Sequence, residues 1–368
     1  MITPQSETVL EFPAVWLRDN CGCTSCRDPQ SSQKLQRITD LPEDLEIVDL
    51  EYSDAEVVVT FSPDGHRSVF ALDWLTSQLS WRSDGDRSER HKTLWRAEDL
   101  EDDAQHAQWS TYRRDDDVRL AVLPGIEQLG FAVLHGTPVD EGTVLTIART
   151  FGFVRVTNYG ELFDVRIEAN PSNLAFTGAV ISPHTDNPYR DPVPTMQLLH
   201  CLANDVIGGE SGLVDGFQAS SILRDEYPHF FEVLTETPVS FAWSDASNVL
   251  RAKRPMIELD SIGRIRAVRF NNRSLQPLRM NTARIGEYYD AYRAFAQIID
   301  RPELLLTFRL DSGDCLIFDN TRILHARTAF EETSTGKRHL QGCYADLDGL
   351  ASTVAVLERD KYYELSET

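Results

Sequence analysis

The stretches Ser-Pro-His-Thr-Asp (182–186) and Asn-Thr-Arg-Ile-Leu-His (320–325) carry the strongest signal in this sequence. In an extended segment, residues i and i+2 point to the same face, so His184 and Asp186 can converge on one ion. His325 follows a strand-like run and its turn. Two histidines and one carboxylate hold Fe(II) on one triangular face and leave the opposite face open for chemistry with O₂. We therefore predict an iron site of His184, Asp186 and His325; from the residues alone, hydrogen-bonded core or surface histidines are the alternative.

The rest of the chain predicts a mainly β architecture with flanking helices. Many short runs are rich in β-branched and aromatic residues and are separated by turn signals, whereas helical patterns are few. This pattern favours a β-sandwich or barrel with helices packed outside it. The predicted strands cover residues 48–52, 56–61, 130–134, 195–202, 239–243, 265–270, 304–310, 315–319 and 340–345, and the predicted helices cover 118–129, 141–151, 218–227 and 285–299.

Length and local composition indicate two domains. The chain has 368 residues, which is enough for two domains of roughly 150 residues each. Residues 11–79 consist of short strand-like runs and turns, with a hairpin signal at Ser-Pro-Asp-Gly (62–65). Residues 81–118 are polar and rich in charged side chains. We predict a small β-rich N-terminal domain at 1–97 and a larger domain at 98–368.

The formal net charge of −22 restricts the possible partners. So acidic a surface repels phosphate backbones and anionic membranes, which argues against nucleic acid as a partner, and it mildly attracts small cations. The first residues lack a basic start followed by an apolar run, and no apolar stretch is long enough to cross a membrane. With six cysteines in a long chain, a disulfide scaffold is not indicated, so we expect a cytoplasmic protein without membrane contact.

Three of the six cysteines lie within six positions, as Cys21-x-Cys23-x-x-Cys26. Three close thiolates and a fourth ligand form a closed tetrahedral Zn²⁺ site. His66 is the best fourth ligand because it directly follows the turn at 62–65 and can fold back onto the cysteine loop. From the residues alone, a redox-active thiol cluster is the alternative.

Arg338 lies thirteen residues beyond His325, at the start of a strand-like run. A planar guanidinium is suited to grip a carboxylate with two parallel hydrogen bonds. From the residues alone, a solvated surface arginine is the alternative.

Taken together, these motifs resemble the γ-butyrobetaine hydroxylase branch of the Fe(II)/2-oxoglutarate dioxygenases. The resemblance extends from about residue 12 to 355 and keeps the order of that family's motifs. The matching stretches are Trp-Leu-Arg-Asp-Asn-Cys-Gly-Cys (16–23), Phe-Gly-Phe-Val-Arg (151–155), His-Thr-Asp (184–186), Gln-Leu-Leu-His-Cys (197–201), Gly-Gly (208–209), Val-Asp-Gly-Phe (214–217), Phe-Asn-Asn (270–272), Gly-Asp (313–314), Phe-Asp-Asn (318–320) and Arg-His-Leu-Gln-Gly-Cys-Tyr-Ala-Asp (338–346).

The resemblance implies a zinc-binding N-terminal domain followed in the chain by a double-stranded β-helix (jelly-roll) catalytic domain. It implies that Fe(II) is held by His184, Asp186 and His325, that Arg338 binds the far carboxylate of the co-substrate 2-oxoglutarate, and that Leu199 lies at that co-substrate. It also implies a structural zinc held by three cysteines and one histidine. The zinc ligands so implied are Cys21, Cys23, Cys26 and His66.

The resemblance further implies an aromatic cage that holds a trimethylammonium group through cation–π attraction. Phe163 and Phe176 replace other aromatic residues of the animal enzyme, and Asn187 stands where a cage tyrosine is expected, two residues before Tyr189. Ordinary core packing is the alternative for each aromatic side chain. The substrate-binding residues carried over at this end are Tyr159, Phe163, Asn173, Phe176, Asn187, Tyr189 and Tyr344.

The anionic end of the substrate is expected at Arg-Phe-Asn-Asn-Arg-Ser (269–274), where we predict Asn271, Asn272 and Arg273 as binding residues. In an extended chain Arg269, Asn271 and Arg273 share a face and can receive an anion. One or two donors suffice for a carboxylate, and two arginines also suit a phosphonate. Simple charge balance against nearby acids is the alternative.

The leading hypothesis is therefore Fe(II)- and 2-oxoglutarate-dependent hydroxylation of a small zwitterionic trimethylammonium acid, with release of succinate and CO₂. γ-Butyrobetaine, giving L-carnitine, is the first choice of substrate. The alternatives are 2-(trimethylammonio)ethylphosphonate, trimethyllysine and, in a different class, a non-catalytic zinc-organised binding module. Because relatives of this type are commonly homodimers, we expect a homodimer.

Overall fold

The computed structural model describes residues 11–78, 92–101, 104–167, 177–331 and 336–367, with side chains described as far as 361. The chain divides into two compact units, Met1–Glu89 and Arg90–Thr368. No helix among the described residues has both the length and the hydropathy needed to cross a membrane.

The N-terminal unit is a three-stranded antiparallel sheet with two short helices. Alternate residues of the middle strand, Val57, Val59 and Phe61, are buried and form the core with Leu17 and Leu75. The predicted hairpin is confirmed, because residues 63–66 join the second and third strands of this sheet, which pair antiparallel. In chain order the elements are α1 (Ala14–Asp19), β1 (Glu46–Tyr52), β2 (Glu56–Ser62), β3 (Arg67–Ala71) and α2 (Leu72–Ser77).

The second unit contains the remaining strands and helices. They are β4 (His106–Gln108), α3 (Trp109–Tyr112), α4 (Asp116–Leu129), β5 (Phe131–His135), α5 (Thr143–Ala148), β6 (Phe163–Val165), β7 (Ile181–His184), β8 (Met196–Asn204), β9 (Ile207–Gly208), β10 (Ser211–Asp215), α6 (Gly216–Glu226), α7 (Pro228–Glu236), β11 (Val239–Ser244), β12 (Val249–Arg254), β13 (Ile257–Leu259), β14 (Ile265–Val268), α8 (Thr282–Ile299), β15 (Leu306–Phe308), β16 (Cys315–Asp319), β17 (Ile323–Arg327), β18 (Phe330–Glu331), β19 (Arg338–Ala345) and α9 (Leu347–Glu367).

Two sheets form the jelly roll of the second unit. The larger has the strand order β4-β5-β16-β8-β19-β6, and the smaller has the order β15-β10-β17-β7. Side chains from both sheets, such as Phe131, Phe318 and Leu340 from the larger and Leu213 and Ile323 from the smaller, share one buried cluster. This two-layer packing confirms the predicted double-stranded β-helix with flanking helices.

Helices cover the outer face of the larger sheet, and a second layer of helices packs beside the smaller one. The C-terminal helix α9 was not predicted, although Leu350, Val354 and Leu357 follow helical spacing and bury one face against the larger sheet. Helix α7 was also missed, and it begins with Pro228 in the first turn, a position that proline favours.

The two compact units divide earlier than the predicted boundary between residues 97 and 98. Trp95 is buried against Phe131, with ring centroids 5.7 Å apart, and its ring N–H donates to the carbonyl of Leu129 at 2.7 Å. Residues 92–97 therefore pack with the second unit, because a large aromatic side chain inserts there into the jelly-roll core.

Candidate metal centres and substrate cavity

The predicted iron ligands come together where two strands of the smaller sheet pair. His184 ends β7 and lies opposite His325 of β17, with ring centroids 4.1 Å apart. Asp186 follows in the loop, with Oδ1 3.4 Å from Nε2 of His184 and Oδ2 4.0 Å from Nε2 of His325. Nitrogen and oxygen ligands bonded at about 2.1 Å to one ion lie about 3 to 4 Å apart. The three side chains therefore fit a single divalent ion.

Hydrogen bonds hold these ligands in the orientation that a metal needs. Nδ1 of His184 is 3.0 Å from the carbonyl of Ser182, which can only accept, so the proton is on Nδ1 and the lone pair of Nε2 faces Asp186. The backbone N–H of Asp186 donates to Oδ1 of Asn320 at 2.8 Å. The Tyr344 hydroxyl donates to Oδ2 of Asp186 at 3.1 Å.

The local electrostatics favour the ligand forms that bind a metal. Burial raises the pKa of the Asp186 carboxyl, but the neighbouring imidazoles of His184 and His325 outweigh burial, so that pKa is lowered. Burial, together with the neighbouring His184, lowers the pKa of His325 to about 3. At neutral pH the site therefore offers a carboxylate and an unprotonated imidazole at His325.

One cavity opens onto these ligands and is lined by most of the predicted co-substrate and substrate residues. Asn272 is an exception, since it is exposed and does not line the cavity. Asn173 and Phe176 lie outside the described residues. The predicted residues that line the cavity are Tyr159, Phe163, Asn187, Tyr189, Leu199, Asn271, Arg273, Arg338 and Tyr344.

Aromatic rings form a continuous wall of this cavity. Phe163 contacts Tyr344 at a centroid distance of 5.1 Å and Tyr159 at 6.2 Å. The hydroxyls of Tyr159 and Tyr189 are 2.9 Å apart. Trp243, which was not predicted, completes the wall by contacting both tyrosines. Ring faces carry negative charge density, so such a wall suits a poorly hydrated cation.

Two buried arginines line another part of the cavity. Arg338 begins β19, is only 3% exposed, and lies over the ring of Phe330 at 5.4 Å. Arg327 lies over the same ring at 4.8 Å. Burial lowers the pKa of each guanidinium to about 10, which leaves both charged at neutral pH. The pair can attract an anionic co-substrate. The sequence analysis did not predict Arg327, because nothing in its sequence context distinguishes it from a surface arginine.

The zinc ligands predicted in the N-terminal unit also converge. Nε2 of His66 lies 3.2 Å from Sγ of Cys21, 3.7 Å from that of Cys23 and 3.5 Å from that of Cys26. In a tetrahedral zinc site, sulfur and nitrogen ligands lie about 3.5 Å apart. None of the six cysteines, all among the described residues, forms a disulfide. The cluster therefore has the ligand types and spacing of a structural zinc site, as predicted.

Comparison with known proteins decides the family. Residues 90–344 match the model of the family described as taurine catabolism dioxygenase TauD, TfdA family. The chain belongs to this dioxygenase family. Residues 2–76 match the model of the gamma-butyrobetaine hydroxylase-like N-terminal region, so both compact units have counterparts in the branch that the sequence resembles.

Relatives along the whole chain define the branch. A gamma-butyrobetaine dioxygenase of Pseudomonas sp. (strain AK-1) is 37% identical over 359 residues, covering 95% of this chain and 91% of that protein. The gamma-butyrobetaine dioxygenase of Homo sapiens is 30% identical over 365 residues, with the same two coverages. The expected class, a 2-oxoglutarate-dependent non-haem iron dioxygenase, is thereby confirmed.

A solved structure supports the fold independently. The crystal structure of a taurine dioxygenase from Burkholderia xenovorans superposes with a TM-score of 0.51 at 15% identity, covering 70% of this chain and 90% of that chain. At so low an identity the likeness shows the shared jelly roll alone.

One prediction for this dioxygenase is wrong. Arg269 was expected to share a face with Asn271 and Arg273 and to receive an anion. Instead β14 ends at Val268, and Arg269 turns into the protein, where its Nε donates to Glu258 at 2.7 Å. A guanidinium N–H donates at 3.0 Å to each of the carbonyls of Pro188 and Arg190. The alternation expected of a strand failed here because the strand had already ended.

Proposed function

We propose that this dioxygenase hydroxylates γ-butyrobetaine to L-carnitine, consuming 2-oxoglutarate and O₂ and releasing succinate and CO₂. The single observation that carries the proposal is one cavity with iron ligands, an aromatic wall and buried arginines. Such a cavity accepts a small zwitterion together with a dicarboxylate. The substrate named for the relatives agrees with this chemistry.

His184, Asp186 and His325 would hold the iron on one face. When bound, ferrous iron supplies the coupled decarboxylation of 2-oxoglutarate and oxidation of a substrate C–H bond. The chain's own residues position the reactants. Arg338 would receive the far carboxylate of 2-oxoglutarate through charge-assisted hydrogen bonds, with Leu199 lining the cavity beside the co-substrate.

The zwitterionic substrate is proposed to span from the aromatic wall to Arg273. Its trimethylammonium group has no N–H to donate, so ring faces are the stabilising partners. Arg273 lines the cavity and provides a cation for the carboxylate. Asn271 acts indirectly, since its side-chain amide donates to the carbonyl of Thr185 at 2.9 Å and so supports the loop that carries Asp186.

Asn173 and Phe176 remain proposed substrate-binding residues. Asn272, in contrast, is exposed and does not line the cavity.

The carboxylate substrate is favoured over the phosphonate. The phosphonate alternative relied on Arg269 and Arg273 acting together, and Arg269 is engaged with Glu258. Arg273 is then the remaining cation of that pair, which suits the smaller charge of a carboxylate.

Side-by-side turnover tests this proposal. The iron-loaded enzyme is incubated with 2-oxoglutarate and either γ-butyrobetaine or 2-(trimethylammonio)ethylphosphonate, and succinate is quantified. We expect faster substrate-dependent succinate formation with γ-butyrobetaine, and its loss in His184→Ala. Faster turnover of the phosphonate would show that the phosphonate, and not γ-butyrobetaine, is the preferred substrate. No succinate with either compound would refute the catalytic role.

We also propose that the enzyme acts as a homodimer in a reducing cytoplasm. None of the six cysteines, all among the described residues, forms a disulfide, which favours the reducing compartment, and the homodimer is the expectation from the family. Light scattering coupled to gel filtration tests the assembly, with a mass of twice 41.7 kDa expected. A single-chain mass at micromolar concentration would contradict it.

A further inference from the structure

We infer that Trp243 is a specificity-determining residue that forms one wall of the substrate's cation site and discriminates in favour of positive charge. The inference rests on the proposed function and deepens it. It assigns a role to a residue on a hairpin outside the two sheets of the jelly roll, β11–β12.

Trp243 lines the same cavity as the iron ligands and joins the aromatic wall from the side. Its ring stacks on Tyr189 at a centroid distance of 5.9 Å and an interplanar angle of 21°. It meets the ring of Tyr159 edge-on at 5.5 Å and 60°. The two tyrosines are themselves joined through their hydroxyls. The three rings therefore form one braced unit rather than independent core side chains.

The backbone fixes Trp243 beside the segment that carries the proposed anion-binding residue. The N–H of Ala242, next to Trp243, donates to the carbonyl of Ser274 at 2.9 Å, and the N–H of Gln276 donates to the carbonyl of Ser240 at 2.8 Å. Arg273 immediately precedes Ser274 and also lines the cavity. The hairpin thus places an aromatic ring and a guanidinium at adjoining parts of one site, as a zwitterion requires.

Position 187 shows why an additional ring is needed. Asn187 lines the cavity, is buried, and has a left-handed backbone with φ of 55°. An amide there offers no ring face to a cation. Among the described residues that line the cavity, Asp186 is the sole carboxylate, and it is committed to the metal. Aromatic faces, including that of Trp243, are therefore what remains to stabilise a quaternary ammonium group.

The test compares a cation with its neutral isostere. The dissociation constants of γ-butyrobetaine and 5,5-dimethylhexanoate, in which a carbon replaces the nitrogen, are measured by calorimetry for the wild type, Trp243→Phe and Trp243→Leu. We expect Trp243→Leu to weaken γ-butyrobetaine binding about tenfold, with a much smaller change for the isostere, because cation–π attraction acts on the charged ligand alone. Trp243→Phe should keep most of the preference.

The matched control is Val249→Ala, an exposed position on the same hairpin, opposite Ser244. It should leave both dissociation constants unchanged. If Trp243→Leu weakens both ligands equally, or neither, the inference is overturned, while turnover of γ-butyrobetaine by the wild type still upholds the proposed function. If the wild type neither binds nor converts γ-butyrobetaine, the proposed function and the role of Trp243 are both refuted.

Discussion

At the scale of single residues, Tyr344 combines two tasks that a substitution can separate. Its ring contacts Phe163 in the aromatic wall, and its hydroxyl donates to the iron-ligand carboxylate of Asp186. A partner of this kind orients a ligand, and its loss typically weakens metal binding about 10- to 100-fold.

We predict that Tyr344→Phe weakens Fe(II) binding about tenfold and leaves the KM for γ-butyrobetaine nearly unchanged, because the ring remains. Activity titrated against Fe(II) measures the first quantity, and substrate saturation at excess iron measures the second. Tyr189→Phe is the control, since its hydroxyl bonds to Tyr159 rather than to Asp186. Unaltered iron affinity in Tyr344→Phe would refute the orienting role.

The buried guanidinium of Arg338 lines the cavity where 2-oxoglutarate is proposed to bind. Replacing its buried guanidinium by methionine removes charge-assisted hydrogen bonds worth about 1.5 to 3 kcal/mol. The KM for 2-oxoglutarate should therefore rise about 10- to 100-fold, as measured by saturation with 2-oxoglutarate at constant substrate. Arg251→Met, at an exposed position of β12, should have no effect. An unchanged KM in Arg338→Met would remove that arginine from the co-substrate site.

The sequence was sufficient to predict those side chains that belong to local motifs. His184 and Asp186 are two residues apart, and the three zinc cysteines lie within a stretch of six residues, so local geometry constrains them strongly. Trp243 and Arg327 were missed, and Arg269 was misplaced, because their directions depend on where a strand ends or where a hairpin docks. The alternation of side chains along a strand, with its period of two residues, does not encode such tertiary features.

At the scale of elements, a buried ion pair between Arg322 and Asp215 links β10 to the turn before β17, and the segment around Trp95 is hydrogen-bonded to it. Arg322 donates to Asp215 through Nε at 3.0 Å and through the terminal nitrogen at 2.7 Å, and both side chains are 0% exposed. Arg322 also donates to the carbonyl of Gln128, and the N–H of Trp95 donates to Asp215. Four parts of the chain therefore meet at one guanidinium–carboxylate contact.

We predict that Arg322→Leu lowers the free energy of unfolding by about 3 to 5 kcal/mol, because it leaves a buried carboxylate without its cation. Urea denaturation measures this loss. Arg301→Gln is the control, since it breaks the exposed pair between Arg301 and Glu226 and should change stability little. Equal effects of the two substitutions would show that burial is not what gives the Arg322 pair its importance.

Element positions were predicted well where a continuous apolar run or helical spacing of apolar residues was clear. Strand β16 has the predicted bounds, and α4 and α8 extend the predicted helices by a few residues at their N-termini. The hairpin β11–β12 was only half predicted. Its second strand, Val-Leu-Arg-Ala-Lys-Arg, is largely exposed and polar at its end, so neither a continuous apolar run nor clean alternation announces it.

At the scale of the whole molecule, the two compact units have unequal means of stabilisation. The N-terminal unit has a small core around β2 and a cluster of four zinc ligands. The second unit has three extensive buried clusters. Small domains commonly need a metal to fold, whereas large cores do not.

We therefore predict that chelation of zinc unfolds the N-terminal unit selectively. Hydrogen exchange followed by mass spectrometry should show loss of protection at β2 and β3, while β8 in the same sample stays protected. Adding Zn²⁺ back should restore protection. Unchanged exchange in β2 and β3 after complete zinc removal would refute a structural role for the metal.

The fold class followed from the sequence because motifs occur along nearly the whole chain. The helix α9 did not, since it depends on which side chains insert into the core beside the larger sheet, as Leu350 does.

The yield of products from γ-butyrobetaine decides whether this dioxygenase is a γ-butyrobetaine hydroxylase. Purified enzyme reconstituted with Fe(II) is supplied with 2-oxoglutarate and O₂, and L-carnitine and succinate are quantified together. We predict that both form in a one-to-one ratio, and that neither forms in His325→Ala. Succinate without carnitine, or no product from a fully iron-loaded enzyme, would contradict it.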